Sequence, residues 1–114
     1  MHDVGNGVDV DKQFAMRCYL RAWRRGGLCA ANNIAILYRE RGDAKAMARW
    51  FKRAIERGDE DARVDLAKCY LNGNGVRKSV NAAALQLRLA MKAHYITQAG
   101  QEEAAILLRT IEAE

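Results

Sequence analysis

One stretch of the chain, residues 43–70, decides the fold and reads DAKAMARWFKRAIERGDEDARVDLAKCY. It repeats the pattern of residues 11–38, DKQFAMRCYLRAWRRGGLCAANNIAILY, at a shift of 32 positions. Alanine, glycine and aromatic residues fall at matching places, and Tyr38 aligns with Tyr70. Within each copy the apolar residues recur at helical spacing. A repeat of this size and spacing predicts pairs of helices that stack into a solenoid.

A short glycine motif lies at the edges of these repeats. Gly5-Asn6-Gly7-Val8 returns intact as Gly73-Asn74-Gly75-Val76. Because Asn-Gly permits a left-handed turn, we expect a loop at both places. The motif is missing between Tyr38 and Asp43, so we expect a tight turn there. Glycine loops of this kind bind phosphate when a strand precedes them, but helices are expected around these copies, which favours a turn.

The composition suits a helical protein and offers little chemistry. Half of the residues are hydrophobic and none is proline, which favours helices over strands. No apolar stretch approaches the roughly 18 residues that a membrane span needs, and we see no secretory signal, so we predict a cytoplasmic protein without membrane contact. Cys18, Cys29 and Cys69 are expected to be buried apolar side chains. Nothing in the repeat register brings a histidine beside a thiol, so we expect no enzyme, no metal and no cofactor.

Apolar spacing and capping residues predict six helices. We expect them at residues 11–25, 29–39, 43–57, 59–72, 79–93 and 101–113, with a loop over residues 95–100. Asp11, Asp43 and Ser79 are the expected N-caps, and the carboxylates of residues 59–61 are expected in the first turn of the fourth helix. The residues expected to face the core are Ala15, Tyr19, Ala22, Ala30, Ile34, Ala35, Tyr38, Met47, Trp50, Phe51, Ala54, Ile55, Ala62, Leu66, Ala67 and Tyr70.

Two consecutive helices carry a resemblance to a known family. The run Ala62-x3-Leu66-Ala67-x2-Tyr70-x2-Gly73-x-Gly75-Val76 resembles the first helix and the loop of Sel1-like repeats, which are similar to tetratricopeptide repeats. The run Asp43-x6-Trp50-Phe51-x2-Ala54-Ile55-x2-Gly58 resembles their second helix. The resemblance covers roughly residues 5–93. It implies an all-α fold, an α-α superhelix (solenoid) of helix-turn-helix repeats.

The resemblance also implies an organisation and a class of function. The units of a single domain spanning residues 1–114 would lie at about 5–42, 43–76 and 77–114. The last helix keeps Ala104 and Leu108 but has Glu112 where a tyrosine belongs, so it resembles a terminal cap. Sel1-like proteins are non-catalytic adaptors and scaffolds, and some bacterial members are immunity proteins against toxins. The expected function is therefore protein binding, either by an antagonist that neutralises a toxin domain or by a segment of a longer adaptor.

A solenoid of this kind has a groove lined by the first helix of each unit. Mixed polar and apolar side chains on a rigid wall suit a peptide or the surface of another protein. The predicted groove residues are Asn32, Ile36, Arg39, Asp61, Val64, Lys68 and Leu71, followed on the last helix by Glu103, Ile106 and Thr110. We expect the charged members to orient a partner and the apolar members to anchor it.

Basic residues concentrate in the first half of the chain. The net charge is +5, and residues 11–57 alone carry twelve basic and four acidic side chains. The predicted basic ridge consists of two rows at i, i+4 and i+8, namely Arg17, Arg21 and Arg25, and Arg49, Arg53 and Arg57. It is either a solvated face or a surface for an acidic protein patch or a nucleic-acid backbone. Nucleic acid is the weaker interpretation because no exposed aromatic residue is expected among the arginines; Trp23 aligns with Ile55 and is expected in the core.

An apolar patch is expected beyond the ridge. The ridge positions become Leu85, Leu89 and Ala93 in the fifth helix. Apolar residues at outer positions need a cover. We expect residues 95–100 to fold back over them; the alternative is a second chain or a partner, which makes an oligomer through Leu85 and Leu89 the second interpretation.

Overall fold

The computed structural model describes the backbone of residues 3–27, 30–94 and 96–113, and the side chains of these residues from Asp11 onward. This part of the chain is all-α. Its helices are α1 (Asp3–Arg24), α2 (Ala30–Glu40), α3 (Ala44–Glu56), α4 (Asp61–Asn72), α5 (Val80–Lys92) and α6 (Gln98–Ala113). Each helix packs against the next one along the chain, and α4 also contacts α6.

Two of the predicted N-caps are confirmed. The Asp43 carboxylate accepts a hydrogen bond from the Ala46 N–H at 3.1 Å, and the Ser79 hydroxyl accepts one from the Ala82 N–H at 3.1 Å. Each side chain thereby satisfies one of the backbone donors that a helix start leaves without a partner. The starts of α3 and α5 follow from these caps.

The start of α1 differs from the prediction. The helix begins at Asp3, so Asp11 is not an N-cap and residues 5–8 are helical rather than a loop. The second copy of the motif is a loop because contacts hold it there: the Ser79 N–H donates to the Tyr70 carbonyl at 3.0 Å, and the Asn74 N–H donates to the Cys69 carbonyl at 2.9 Å. The tetrapeptide alone therefore does not fix its own conformation.

The starts of α4 and α6 also differ from the prediction. Helix α4 begins at Asp61, so residues 59 and 60 precede its first turn. Helix α6 begins at Gln98, which shortens the predicted loop over residues 95–100. Thr97 initiates α6, since its hydroxyl accepts a hydrogen bond from the Gly100 N–H at 3.0 Å. Threonine is a good N-cap, so α6 begins inside the segment that was predicted to be a loop.

The core consists of two apolar clusters that meet at α4. The first cluster joins α1 to α4 and contains Met16, Ala31, Ile34, Ala35, Leu37, Met47, Ala48, Trp50, Phe51, Ala54, Ala62, Leu66 and Cys69. The second joins α4 to α6 and contains Val64, Ala67, Ala83, Leu87, Ala90 and Ala104. Helix α4 is thus buried on two sides, because it lies between α3 on one side and α5 and α6 on the other.

Helix α1 packs with a slightly different face from the one predicted. Met16 is its buried residue, and Ala15, Tyr19 and Trp23 are partly buried against the first cluster. Ala22, predicted to be inward, is exposed. Cys18 is also exposed, so its predicted burial is wrong, whereas Cys69 is buried; Cys29 lies outside the described residues.

The molecule is elongated. Its principal extents are 49 × 31 × 22 Å. Its radius of gyration is 15.3 Å, against roughly 13 Å for a compact domain of this length. The shape follows from helices that pack mainly on their neighbours in sequence rather than around a common centre.

Candidate protein-binding groove

A continuous groove runs from the face of α4, past the end of α2, to the start of α3. Its first part, which we call the cleft, has a volume of about 160 Å³ and lies between α2 and α4. A cavity of about 220 Å³ shares Arg39, Met47 and Asn74 with the cleft. A third cavity, of about 550 Å³, shares Gly42 and Ala44 with the second. The three cavities therefore form one surface, which we call the groove.

The groove has polar walls over an apolar floor. The residues that line the cleft are Arg39, Met47, Phe51, Asp65, Lys68, Cys69, Asn72 and Asn74. The far end of the groove adds the basic side chains of Lys45 and Arg77. Met47 and Phe51 are buried residues of the first core cluster, so the floor is rigid while the walls are solvated.

Two local features shape the groove. The turn between α2 and α3 is tight, as the missing loop motif predicted, and its Gly42 has a φ of 80°. The loop after α4 lies directly against the start of α3: a Cβ on Gly75 would be 2.0 Å from the Ala44 carbonyl oxygen. The groove thus exists because two turns that are distant in sequence meet.

The structure places the predicted groove residues in different roles. Arg39 and Lys68 line the cleft. Asn32 and Ile36 are partly buried on α2, outside the cavities that form the groove. Val64 is 2 % exposed and belongs to the second core cluster, so its prediction as a groove residue is wrong. Leu71 is partly buried against the same cluster and does not line the groove either.

Asp61 and Lys68 hold α6 on α4. The Asp61 carboxylate accepts hydrogen bonds from the Thr97 hydroxyl at 2.7 Å and from the Thr97 N–H at 3.2 Å. Lys68 forms an ion pair with Glu103. Asp61 was predicted to orient a partner, but its carboxylate is occupied inside the molecule at the start of α6.

The predicted residues of the last helix lie on the surface of α6. Glu103, Ile106 and Thr110 are all exposed. Glu103 pairs with Lys68, and the Thr110 hydroxyl donates to the Ile106 carbonyl at 3.0 Å. None of the three lines the groove, so this wall is built by α2, α3 and α4 and the loop after α4.

Sequence reasoning missed Asp65, Asn72 and Asn74. Asp65 and Asn72 share a face of α4 with Asp61 and Lys68, at the spacing i, i+4, i+7 and i+11. The sequence analysis predicted Val64 and Leu71 as groove residues instead, and each of them lies one position before a residue that lines the cleft. The signal was the polarity of residues 61, 65, 68 and 72, which marks the solvated face of the helix.

Asp65 is a half-buried carboxyl in the cleft. Burial raises the pKa of Asp65 to about 6; Glu103 and Asp59 also raise it, while Lys68 and Arg39 lower it. Within the described part of the chain, neither a hydrogen bond nor an ion pair reaches this carboxyl. Desolvation therefore outweighs the two nearby cations. A carboxyl of this kind in a cleft is a candidate binding group.

Cys69 lies beside Asp65 on the floor of the cleft. Burial raises the pKa of the Cys69 thiol to about 11, and the charge of Asp65 adds to the rise. The thiol is therefore protonated at neutral pH, and a protonated thiol is a poor nucleophile.

The six arginines of the basic ridge are all exposed. No described carboxylate forms an ion pair with any of them. The two rows meet at their carboxyl ends, where Nη1 of Arg57 donates to the Trp23 carbonyl at 2.6 Å. The guanidinium of Arg57 also lies 3.4 Å from the centre of the Trp23 ring, and that of Arg53 lies 4.5 Å from the centre of the Trp50 ring.

The indole rings beneath the ridge are not free to stack on bases. Trp23 and Trp50 pack edge to face, with their ring centres 5.3 Å apart, and arginines cover them. One aromatic residue does lie at the surface among the arginines: Phe14 is 62 % exposed, three positions before Arg17. The expectation that no exposed aromatic residue accompanies the ridge is therefore wrong.

The apolar patch on α5 is open. Leu85 is 54 % exposed and Leu89 is 39 % exposed. The prediction that residues 95–100 cover them is wrong, because Gln98 already belongs to α6 and Ile96 packs against the second core cluster instead. Tyr95 lies outside the described residues. That a second chain covers the patch stays a prediction.

No protein-family model, no curated protein and no solved structure matches the chain. Over the residues that the structure describes, no helix has the length and apolar character to cross a membrane, and no cluster of three potential metal-ligating side chains occurs.

Proposed function

We propose that this chain is a solenoid of Sel1-like repeats that binds another protein and catalyses no reaction. The repeat of 32 residues supports this proposal. So do helices that pack mainly on their sequence neighbours and an extent of 49 Å along the longest axis. In repeat proteins such packing creates extended surfaces that bind protein segments.

The groove is the observation that carries the proposal. Its apolar floor can bury a side chain of a partner, and its amide and charged walls can pair with the backbone of an extended segment. Met47 and Phe51 are fixed in the core, so the site is preorganised and little ordering free energy is lost on binding. The protonated thiol of Cys69 gives the cleft no nucleophile of its own.

Selection from a library of displayed random peptides tests the proposal. We expect a family of peptides whose binding weakens at least tenfold in the double variant Asn72→Ala/Asn74→Ala, because both amides line the cleft. Asn81→Ala, at an exposed position of α5, is the matched control and should leave the dissociation constant unchanged. No enriched peptides, or peptides indifferent to the double variant, would contradict the groove as the site.

Two roles are compatible with a protein partner. An antagonist of a toxin domain would suppress growth inhibition by its partner when both are expressed in one cell, and the Asn72→Ala/Asn74→Ala variant would not. A segment of an adaptor would bind its partner without any effect on growth. The co-expression assay separates these two roles once a partner is identified.

A second candidate function is nucleic-acid binding by the basic ridge. It is favoured by six exposed arginines with no described carboxylate partner and opposed by the arginines that cover the two indole rings. Fluorescence anisotropy with generic RNA and duplex DNA tests it. Binding through phosphates should fall steeply as salt rises from about 50 to about 200 mM and should be lost in Arg17→Glu/Arg49→Glu.

A further inference from the structure

The carboxyl group of Asp65 faces the cleft without a described hydrogen-bond partner. The nearby ammonium group of Lys68 is engaged by Glu103 on α6. Arg39 is exposed at the end of α2 and forms no ion pair with Asp65. The neighbouring Asn72 and Asn74 also line the cleft but donate no hydrogen bond to the carboxylate. Lys68 and Arg39 stabilise its charge only through space, so water must satisfy the hydrogen-bonding capacity of its oxygens when the cleft is open to solvent.

Any ligand that fills the cleft removes this water. The volume of about 160 Å³ corresponds to roughly five water molecules at the volume each occupies in the liquid. A ligand group that displaces them without donating hydrogen bonds leaves a desolvated carboxylate, which is strongly unfavourable. A cationic donor compensates best, because charge-assisted hydrogen bonds are about twice as strong as neutral ones.

We propose that the cleft accepts a lysine or arginine side chain of the bound protein, with its cationic group on Asp65. The methylene chain of that residue would lie over Met47 and Phe51, since long basic side chains bury their stems on apolar surface while the charge finds a polar partner. This inference rests on the proposed function, because it names the chemistry of the partner that the groove binds.

The cations at the cleft do not make it a carboxylate site. Lys68 already pairs with Glu103, and the guanidinium of Arg39 is solvated, so neither lacks a counter-charge or water. Asp65 is partly buried and has no described ion-pair partner. Asp65, the charged group without a described hydrogen-bond partner, therefore decides which ligand fits the cleft.

A matched pair of small probes tests the inference directly. The amide of N-acetyl-arginine is cationic, and the amide of N-acetyl-citrulline is its neutral isostere. In a nuclear magnetic resonance titration, we expect the arginine probe to shift the backbone amides of Asp65, Lys68 and Asn72, and the citrulline probe to leave them in place. Asp65→Asn should weaken the arginine probe at least tenfold, while Glu40→Gln, an exposed carboxyl outside the cleft, should not.

Three outcomes would overturn the inference. They are equal shifts from both probes, unchanged binding in Asp65→Asn, and preferential shifts from the amide of N-acetyl-aspartate. The displayed peptides separate this inference from the proposed function. Peptides that carry a basic residue and lose binding in Asp65→Asn support both; peptides that bind in the groove without a basic residue overturn the inference alone; a failure to select any peptide overturns the proposed function.

Discussion

Gly75 tolerates no side chain, for two independent reasons. Its φ is 75°, a left-handed conformation that residues with a Cβ rarely adopt. A Cβ would also lie 2.0 Å from the Ala44 carbonyl oxygen, a backbone atom that cannot rotate away. The residue thus fixes how closely the loop after α4 approaches α3, and with it one wall of the groove.

We expect Gly75→Ala to lower the free energy of unfolding by about 3 kcal/mol, because the clash adds to the conformational strain. Gly58→Ala is the matched control: its φ is 102°, but a Cβ there has no atom within 4 Å. The control should cost about 1 kcal/mol, the conformational part alone. Urea unfolding of both variants measures the difference, and equal losses would show that the loop does not approach α3 closely.

Asp65 makes stability depend on pH. Because burial raises its pKa to about 6 from the ordinary value of 3.8, the folded state between these pH values binds a proton that the unfolded state has lost. The free energy of unfolding should therefore fall as pH rises through this window and stay lower above it. At pH 7 the ionised carboxylate is destabilising, which fits a group that serves binding rather than folding.

We expect Asp65→Asn to raise the free energy of unfolding at pH 7 by about 1–2 kcal/mol, since a shift of one pKa unit corresponds to about 1.4 kcal/mol and partial exposure reduces the effect. At pH 3 the variant should nearly match the parent, because Asp65 is then mostly protonated in both the folded and the unfolded state. Urea unfolding across this range checks the sign. Glu40→Gln, which removes a carboxylate at an exposed position, is the control. An Asp65→Asn variant that is less stable than the parent at pH 7 would contradict the burial of Asp65.

The local sequence pattern predicted some features of the helices correctly and missed others. The caps of α3 and α5 were predictable because a cap involves residues only three positions apart. The burial of Ala62, Leu66 and Ala67 on α4 was also predicted, but that of Val64 was not, because this helix is buried on two sides and its apolar residues do not form a single stripe. Periodicity identifies a helix with one buried face, and α4 has two.

The packing of α6 against α4 depends on contacts that could not be predicted from the sequence. Asp61 and Thr97 are 36 positions apart, and their hydrogen bonds join the first turn of α4 to the start of α6. Gly100 lies close to the same carboxylate, since a Cβ there would be 2.0 Å from Oδ1 of Asp61. Thr97, the residue that caps α6, therefore also holds α6 against α4.

A double-mutant cycle on Asp61→Ala and Thr97→Ala should give a coupling free energy of about 1 kcal/mol, because Thr97→Ala removes the hydroxyl that donates to the carboxylate and keeps the backbone N–H. The exposed ion pair of Lys68 and Glu103 serves as the comparison, and a cycle on it should give about 0.5 kcal/mol or less. Urea unfolding measures both. Coupling at Asp61 and Thr97 no larger than at the ion pair would show that the cap does not hold α6 on α4.

Over the whole molecule, the repeats predicted a groove and its residues Arg39 and Lys68, but not that it extends along the start of α3. Its cavities lie where the tight turn at Gly42 meets the loop at Gly75, and these are 33 positions apart. The exposure of the basic ridge was predictable, because its residues recur at helical spacing on an outer face. The two rows of the ridge follow α1 and α3, and charges of one sign repel each other over distances of about 10 Å at moderate salt.

The ridge should lower the stability of the fold. Arg49 lies four positions from Lys45 and four from Arg53, and like charges at this spacing repel by about 0.2–0.5 kcal/mol per pair. Arg49→Glu converts both pairs to attractive ones, so we expect the free energy of unfolding to rise by about 1 kcal/mol at low salt, and by less at high salt. Arg109→Glu makes the same charge change on α6 without basic neighbours four positions away, and should bring no gain. If Arg49→Glu does stabilise the protein, the ridge works against the fold, and its charge is then better explained by an anionic partner than by the needs of folding. If Arg49→Glu raises the free energy of unfolding no more than Arg109→Glu does, repulsion among the arginines is negligible, and the basic ridge is explained as a solvated face.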